Sequence, residues 1–130
     1  MIRFSYFGNR KLQVTSKCIA IANTSIPNQL IRHRPNLAPR WGDVHAYKQG
    51  YMSFSELERR YTLMVLDKLD PKSFLEMYDG CTLLCWEKDI GTCHRLFLLK
   101  WLRRNNIESE EIGLTREDEV ALGIPEIEKR

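Results

Sequence analysis

The stretch Cys81-Thr-Leu-Leu-Cys-Trp-Glu-Lys-Asp-Ile-Gly-Thr-Cys-His-Arg95 decides the fold. Its first six residues form a short apolar run that stops at charged residues, the pattern of a buried strand, Cys81–Trp86. Thr92 can then cap a helix running from Cys93 to about Arg104. Phe97, Leu98, Trp101 and Leu102 would form its apolar face, and Arg103 and Arg104 suit the negative end of its dipole. Working upstream, Asp70-Pro71 opens another helix, which Gly80 closes. Before it, Ser53 or Ser55 can cap a helix to about Leu69, with Phe54, Leu57, Tyr61, Met64, Val65 and Leu69 at helical spacing. Lys17–Ala22 reads as a second buried strand, and Met1–Phe7 as a third, ended by Gly8-Asn9. Residues 23–40, with Pro27, Pro35 and Pro39, read as a long loop. Strands separated by helices imply a short, mostly parallel α/β sheet flanked by helices. The expected organisation is one α/β domain over residues 1–110 and an acidic C-terminal extension over 111–130, in which Thr115 caps a short helix. In such sheets ligands bind outside the carboxyl ends of the strands, here residues 22–28 and 85–94.

Composition narrows the class further. The chain has 130 residues, 43 % apolar and 28 % charged, which is the range of globular domains and excludes collagen-like or wholly disordered chains. Its longest apolar runs, Leu63–Leu66 and Leu96–Leu99, fall far short of the ~20 residues that span a bilayer. No apolar leader with a small-residue cleavage site opens the sequence, so the expected location is the cytoplasm, without a membrane partner. The net charge of +3 is unevenly placed. Arg3, Arg10, Lys11, Lys17, Arg32, Arg34, Arg40 and Lys48 face a single acid, Asp43, in the first 48 residues, whereas acids dominate after residue 105. A basic N-terminal third suits an anionic partner, whether a small molecule or a nucleic acid.

The four cysteines, Cys18, Cys81, Cys85 and Cys93, read as free thiols in a reducing compartment. Cys81 and Cys85 share a strand face but stand ~13 Å apart at ~3.3 Å per residue, too far to pair.

The candidate chemistry gathers at residues 85–95. If Cys93, His94 and Arg95 occupy the first helical turn, the free N–H groups there favour an anion or a thiolate. Three readings compete. Cys85 or Cys93 is a nucleophile, with His94 as base, Glu87 as acid or base, and Arg95 and Lys88 holding substrate. Alternatively Cys85, Cys93 and His94 bind zinc, with His45 as a possible fourth ligand; adjacent helical residues diverge by ~100°, which counts against this, and the expectation is no cofactor. In the third reading Cys85 is a core residue and Arg95 pairs with Glu87. Asn23 and Ser25 after the second strand, and Arg32 and Arg34 in the long loop, are further ligand-binding candidates.

The same segment carries a family resemblance. Leu-Leu-Cys-aromatic-Glu-Lys over 83–88, followed by Cys93-His94-Arg95 and an amphipathic helix with Trp101-Leu102, resembles the domain-of-unknown-function 488 family. Ile19-Ala-Ile-Ala-Asn-Thr-Ser-Ile-Pro27, Leu37-Ala-Pro39 and Tyr47-Lys48 before Gly50 fit the same family, so the likeness covers about residues 17–104. Trp86 stands where Tyr is commoner, and Asp89-Ile90 where Pro is frequent. The resemblance implies a Rossmann-like α/β fold in a small bacterial or phage protein, with Cys85, Glu87, Lys88, Cys93, His94 and Arg95 as motif positions and no assigned activity. The expected function is binding or processing of an anionic, nucleotide-like small molecule at this Cys/His/Arg site. The alternative is a non-catalytic nucleic-acid- or protein-binding module, such as a host-interaction or inhibitor protein, that uses the basic third.

Overall fold

A computed structural model describes residues 1–9, 17–28 and 30–128. Five strands form one parallel sheet: β1 (Ile2–Tyr6), β2 (Lys17–Ala20), β3 (Arg32–His33), β4 (Cys81–Cys85) and β5 (Ser109–Glu111), in the order β3-β2-β4-β1-β5. Among the described residues five helices flank it: α1 (Trp41–Lys48), α2 (Phe54–Met64), α3 (Pro71–Tyr78), α4 (Arg95–Arg104) and α5 (Arg116–Ala121). The α/β, Rossmann-like architecture expected from the sequence is the one observed.

Strand pleating sorts the core. Ile2, Phe4, Ile19, Ile21, Cys81, Leu83 and Cys85 point to one face and pack with Leu57, Tyr61, Phe74, Phe97 and Leu99 of α2, α3 and α4. Phe7, Cys18, Ala20, Ala22 and Leu84 point to the other face and cluster with Ile31; no described helical residue joins them.

Helix starts follow local chemistry. The Ser53 hydroxyl accepts from the Glu56 N–H at 3.0 Å, and the Asp70 carboxylate accepts from the Ser73 N–H at 2.9 Å ahead of Pro71. Gly80 takes φ +79° after α3, a backbone turn that favours glycine. Thr115 and Asp118 form a reciprocal capping box at α5.

The structure departs from the expected elements in three places. The long loop over 23–40 holds β3 and a 3-10 turn over Pro35–Leu37, and α1 follows it where no element was expected. The helix expected to reach Leu69 ends at Met64, and Leu66–Lys68 is a separate 3-10 turn. Beyond α4 the chain returns to the sheet as β5 and is fastened there. Arg103 donates to the Ser109 and Pro125 carbonyls at 2.8 and 3.1 Å and pairs with Glu119 at 2.9 Å.

Tyr61 ties α2 to the turn after β3. Its buried hydroxyl donates to the Leu37 carbonyl at 2.7 Å. Tyr61→Phe strands that carbonyl, and we expect a loss of about 1–3 kcal/mol in a urea titration with an unchanged m-value.

Candidate functional site

The chain leaves β2 toward β3 at one edge of the sheet and leaves β4 toward β5 at the other. The loops after β2 and β4 therefore part over a topological switch point. Here the protein's own groups fill that crevice. The Trp86 indole N–H donates to the Thr24 carbonyl at 3.2 Å and to its hydroxyl at 3.0 Å, and the Trp86 ring meets Phe7 edge-on at 4.6 Å. His94 reaches the same loop: its Nε2 lies 2.8 Å from the Ile21 carbonyl oxygen.

Cys93 does not sit in the first turn of α4. The Asp89 carboxylate accepts the Gly91 N–H at 2.8 Å and the Asp89 carbonyl accepts the Thr92 hydroxyl at 3.0 Å, which closes a 3-10 turn over Ile90–Thr92. Cys93 follows in extended conformation (φ −121°, ψ 144°), His94 is the N-cap, and the helix begins at Arg95. The ~100° divergence of neighbouring helical side chains therefore does not apply, and Cys93 and His94 turn to the same point.

That point is the end of β4. The Cys85 and Cys93 sulfurs and a His94 ring nitrogen lie within 4.8 Å of one another, and all three residues are buried. A carbonyl oxygen can only accept, so His94 donates from Nε2 to Ile21, and in the neutral ring Nδ1 keeps its lone pair. Nδ1 stands 3.9 Å from each sulfur, and Cys85 is also 3.6 Å from Nε2. Tyr61 packs edge-on against the ring at 5.5 Å. The two thiols differ in acidity. Burial pushes Cys85 well up, and its hydrogen bond to Cys93 adds to this. Burial also opposes ionisation of Cys93, but the hydrogen bond from Cys85 and the nearby His94 and Arg95 outweigh it and hold that thiol well below its usual range.

Arg95 is 0 % exposed. Its Nε and Nη2 donate to the two Glu111 carboxylate oxygens at 3.0 and 2.9 Å, Nη1 donates to the Glu87 carbonyl at 2.6 Å, and Nη2 donates to the Lys88 carbonyl at 3.0 Å. Every nitrogen of the guanidinium is thus engaged within the protein, and Arg95 clamps the 86–89 loop to β5. The Glu87 carboxylate turns the other way and pairs with Lys48 at 3.2 Å.

A crevice of about 20 Å³ adjoins the cluster. Cys93 and His94 form its floor, with Tyr47, Lys48 and Glu87 toward the rim. This is room for about one water. The remaining candidates lie elsewhere. Lys88 is exposed. Asn23 donates to the Pro39 carbonyl at 2.9 Å, and the Ser25 hydroxyl donates to the Ile26 carbonyl at 3.4 Å. Arg32 is exposed on the edge strand, and Arg34 donates to the His33 carbonyl at 3.3 Å. His45, the possible fourth zinc ligand, is exposed on α1 beside Trp41 and stands outside the donor cluster. Arg10 and Lys11 of the basic third lie outside the described residues.

Sequence reasoning missed Glu111, Lys48 and the Ile21 carbonyl. A backbone acceptor carries no sequence signal, and an acid in an acidic segment does not announce a buried partner. Among the described residues the cluster offers a metal ion three protein donors, two sulfurs and one imidazole nitrogen. No helix among them is long and apolar enough to cross a membrane. Scans against family models, curated proteins and solved structures each return no match for the chain.

Proposed function

We propose that the protein is a small cytoplasmic zinc protein, of the bacterial or phage kind that the motif resemblance implies, which binds and processes an anionic, nucleotide-like small molecule. Cys85, Cys93 and Nδ1 of His94 hold the ion. The carrying observation is the convergence of these three donors with the His94 tautomer fixed by the Ile21 carbonyl. Metal-binding imidazoles commonly donate their other N–H to such an acceptor. Tetrahedral zinc with S and N ligands needs S–N separations of about 3.5 Å, so 3.9 Å asks for a closure of a few tenths of an ångström.

Cys85, Cys93 and His94 would hold zinc with three protein ligands, the number found at reactive rather than structural sites. Zinc supplies a Lewis acid that polarises a bound oxygen. Cys93 and His94 line the crevice, so substrate oxygen approaches from that side. Lys48 supplies a cation for the anionic group and Glu87 a carboxylate for proton transfer. Arg95 acts at one remove, by holding the Glu87 and Lys88 carbonyls. A molecule larger than water must part the Lys48–Glu87 pair, and α1, which has no buried residue, is the element able to yield. The alternative of a nucleic-acid or protein docking module draws less support, because Arg3 pairs with Glu110 and Lys48 with Glu87.

The test is elemental analysis of protein purified in reducing buffer, followed by cobalt substitution. One zinc per chain and a sulfur-to-cobalt charge-transfer band are expected, and both should vanish in Cys85→Ser, Cys93→Ser and His94→Ala. A folded wild-type chain that takes up neither metal, or variants that keep it, would overturn the proposal. In native mass spectra, an adduct from a metabolite extract should require zinc.

A further inference from the structure

The two sulfurs have a chemistry of their own. Cys85 ends a strand and Cys93 sits in extended chain ahead of α4, so neither is locked in a helix. Both are free and buried, and their sulfurs meet at the end of β4 within 4.8 Å of each other. A disulfide needs its sulfurs at about 2.05 Å, a short approach for atoms already within 4.8 Å. The other cysteines are badly placed to compete. Cys18 faces the opposite side of the sheet, and Cys81 lies at the far end of β4. Access is selective as well. Cys93 is 1 % exposed, and it borders a crevice of about 20 Å³. Hydrogen peroxide is little larger than the water such a space holds, whereas glutathione disulfide is many times larger.

We propose that Cys85 and Cys93 are a peroxide-reactive dithiol that closes to a disulfide and, in doing so, releases the zinc. The release rests on the zinc reading above; the disulfide does not. The Cys93 sulfur attacks one peroxide oxygen, the O–O bond breaks, and the other oxygen leaves as water with the thiol proton. Cys93 then carries S–OH. The Cys85 sulfur attacks the Cys93 sulfur, the S–S bond forms, the S–O bond breaks, and the hydroxyl leaves as water with the Cys85 proton. Two electrons pass from the thiols to hydrogen peroxide, which becomes two waters. In the zinc-loaded protein the thiolates carry no protons, and solvent supplies both. The disulfide sulfurs no longer serve as thiolate ligands, so the ion is left with His94 alone.

The experiment treats the reduced, zinc-loaded full chain with hydrogen peroxide and follows intact mass, peptide maps and zinc capture by a coloured chelator. The expected result is the loss of two hydrogens, a Cys85–Cys93 cross-linked peptide, one zinc released per cross-link, and reversal by dithiothreitol. Cys93→Ser and Cys85→Ala should form no cross-link, while Cys18→Ser and Cys81→Ser should leave it unchanged. Glutathione disulfide should act at least about tenfold more slowly, because access limits exchange. Oxygen addition to Cys93 without a cross-link, or a cross-link through Cys18 or Cys81, overturns the dithiol. Equal reaction with glutathione disulfide overturns the access argument. A chain that never binds zinc but still cross-links sinks the zinc reading and leaves the dithiol standing; a chain that binds zinc but gains only oxygen does the reverse.

Discussion

Arg95→Met is expected to remove about 3–5 kcal/mol of stability, the cost of breaking a buried ion pair from one side. Methionine roughly fills the volume but leaves the Glu111 carboxylate, 7 % exposed, without its cation. It also strips a donor from the Glu87 and Lys88 carbonyls. Small domains have only about 5–15 kcal/mol in total, so the variant sits close to unfolding. Urea titration at constant m-value reads the effect directly. The double variant Arg95→Met with Glu111→Leu should recover much of the loss, because the orphaned charge leaves with its partner. A change below about 1 kcal/mol in the single variant would mean that the clamp is not structural.

Chelation should produce the second large effect. An ion that binds the folded chain but not the unfolded one stabilises by about 4 kcal/mol at a thousandfold excess over its dissociation constant. Stripping zinc with a strong chelator is therefore expected to lower the unfolding free energy by about that amount, and restoring zinc should return it. His94→Ala should show no zinc-dependent shift at all. The comparison separates a ligand from a packing residue, because a residue that merely fills the core would lower stability equally with and without the ion.

The sequence made the core legible where burial forces a pattern. Cys81–Cys85 is apolar because both faces of β4 are covered, and Asp70-Pro71 marks a helix start because a carboxylate there can cap an N–H and proline needs no donor. Elements that bury little left no trace. α1 has no buried residue and so no apolar stripe to find, and β3 is two polar residues held by backbone pairing and by the His33 ring, 2.7 Å from the Ala22 carbonyl oxygen. β5 is more instructive. Ser109–Glu111 looks like surface, yet Glu111 is inside because Arg95 meets it there, and that partnership spans the whole of α4. The site was legible in its members and not in its geometry. Cys85, Cys93 and His94 stood out as residue types, but the start of α4 was misplaced because Asp89 serves a 3-10 turn of its own. The pairing of Arg95 with Glu87 was right about the neighbour and wrong about the atom: it is the carbonyl that accepts, while the carboxylate goes to Lys48.

The order of the strands has a consequence during synthesis. β1 is made before the other strands, yet among the described residues it pairs with β4 and β5, whose residues are made some eighty to a hundred positions later. Until then Ile2 and Phe4 have no sheet to join, and Arg95 waits for Glu111 even after α4 can coil. Such non-local pairing is slow to close and leaves apolar chain exposed in the meantime. A chain truncated before residue 109 should thus be bound by trigger-type holdases and cut by proteases, and the full chain should escape both.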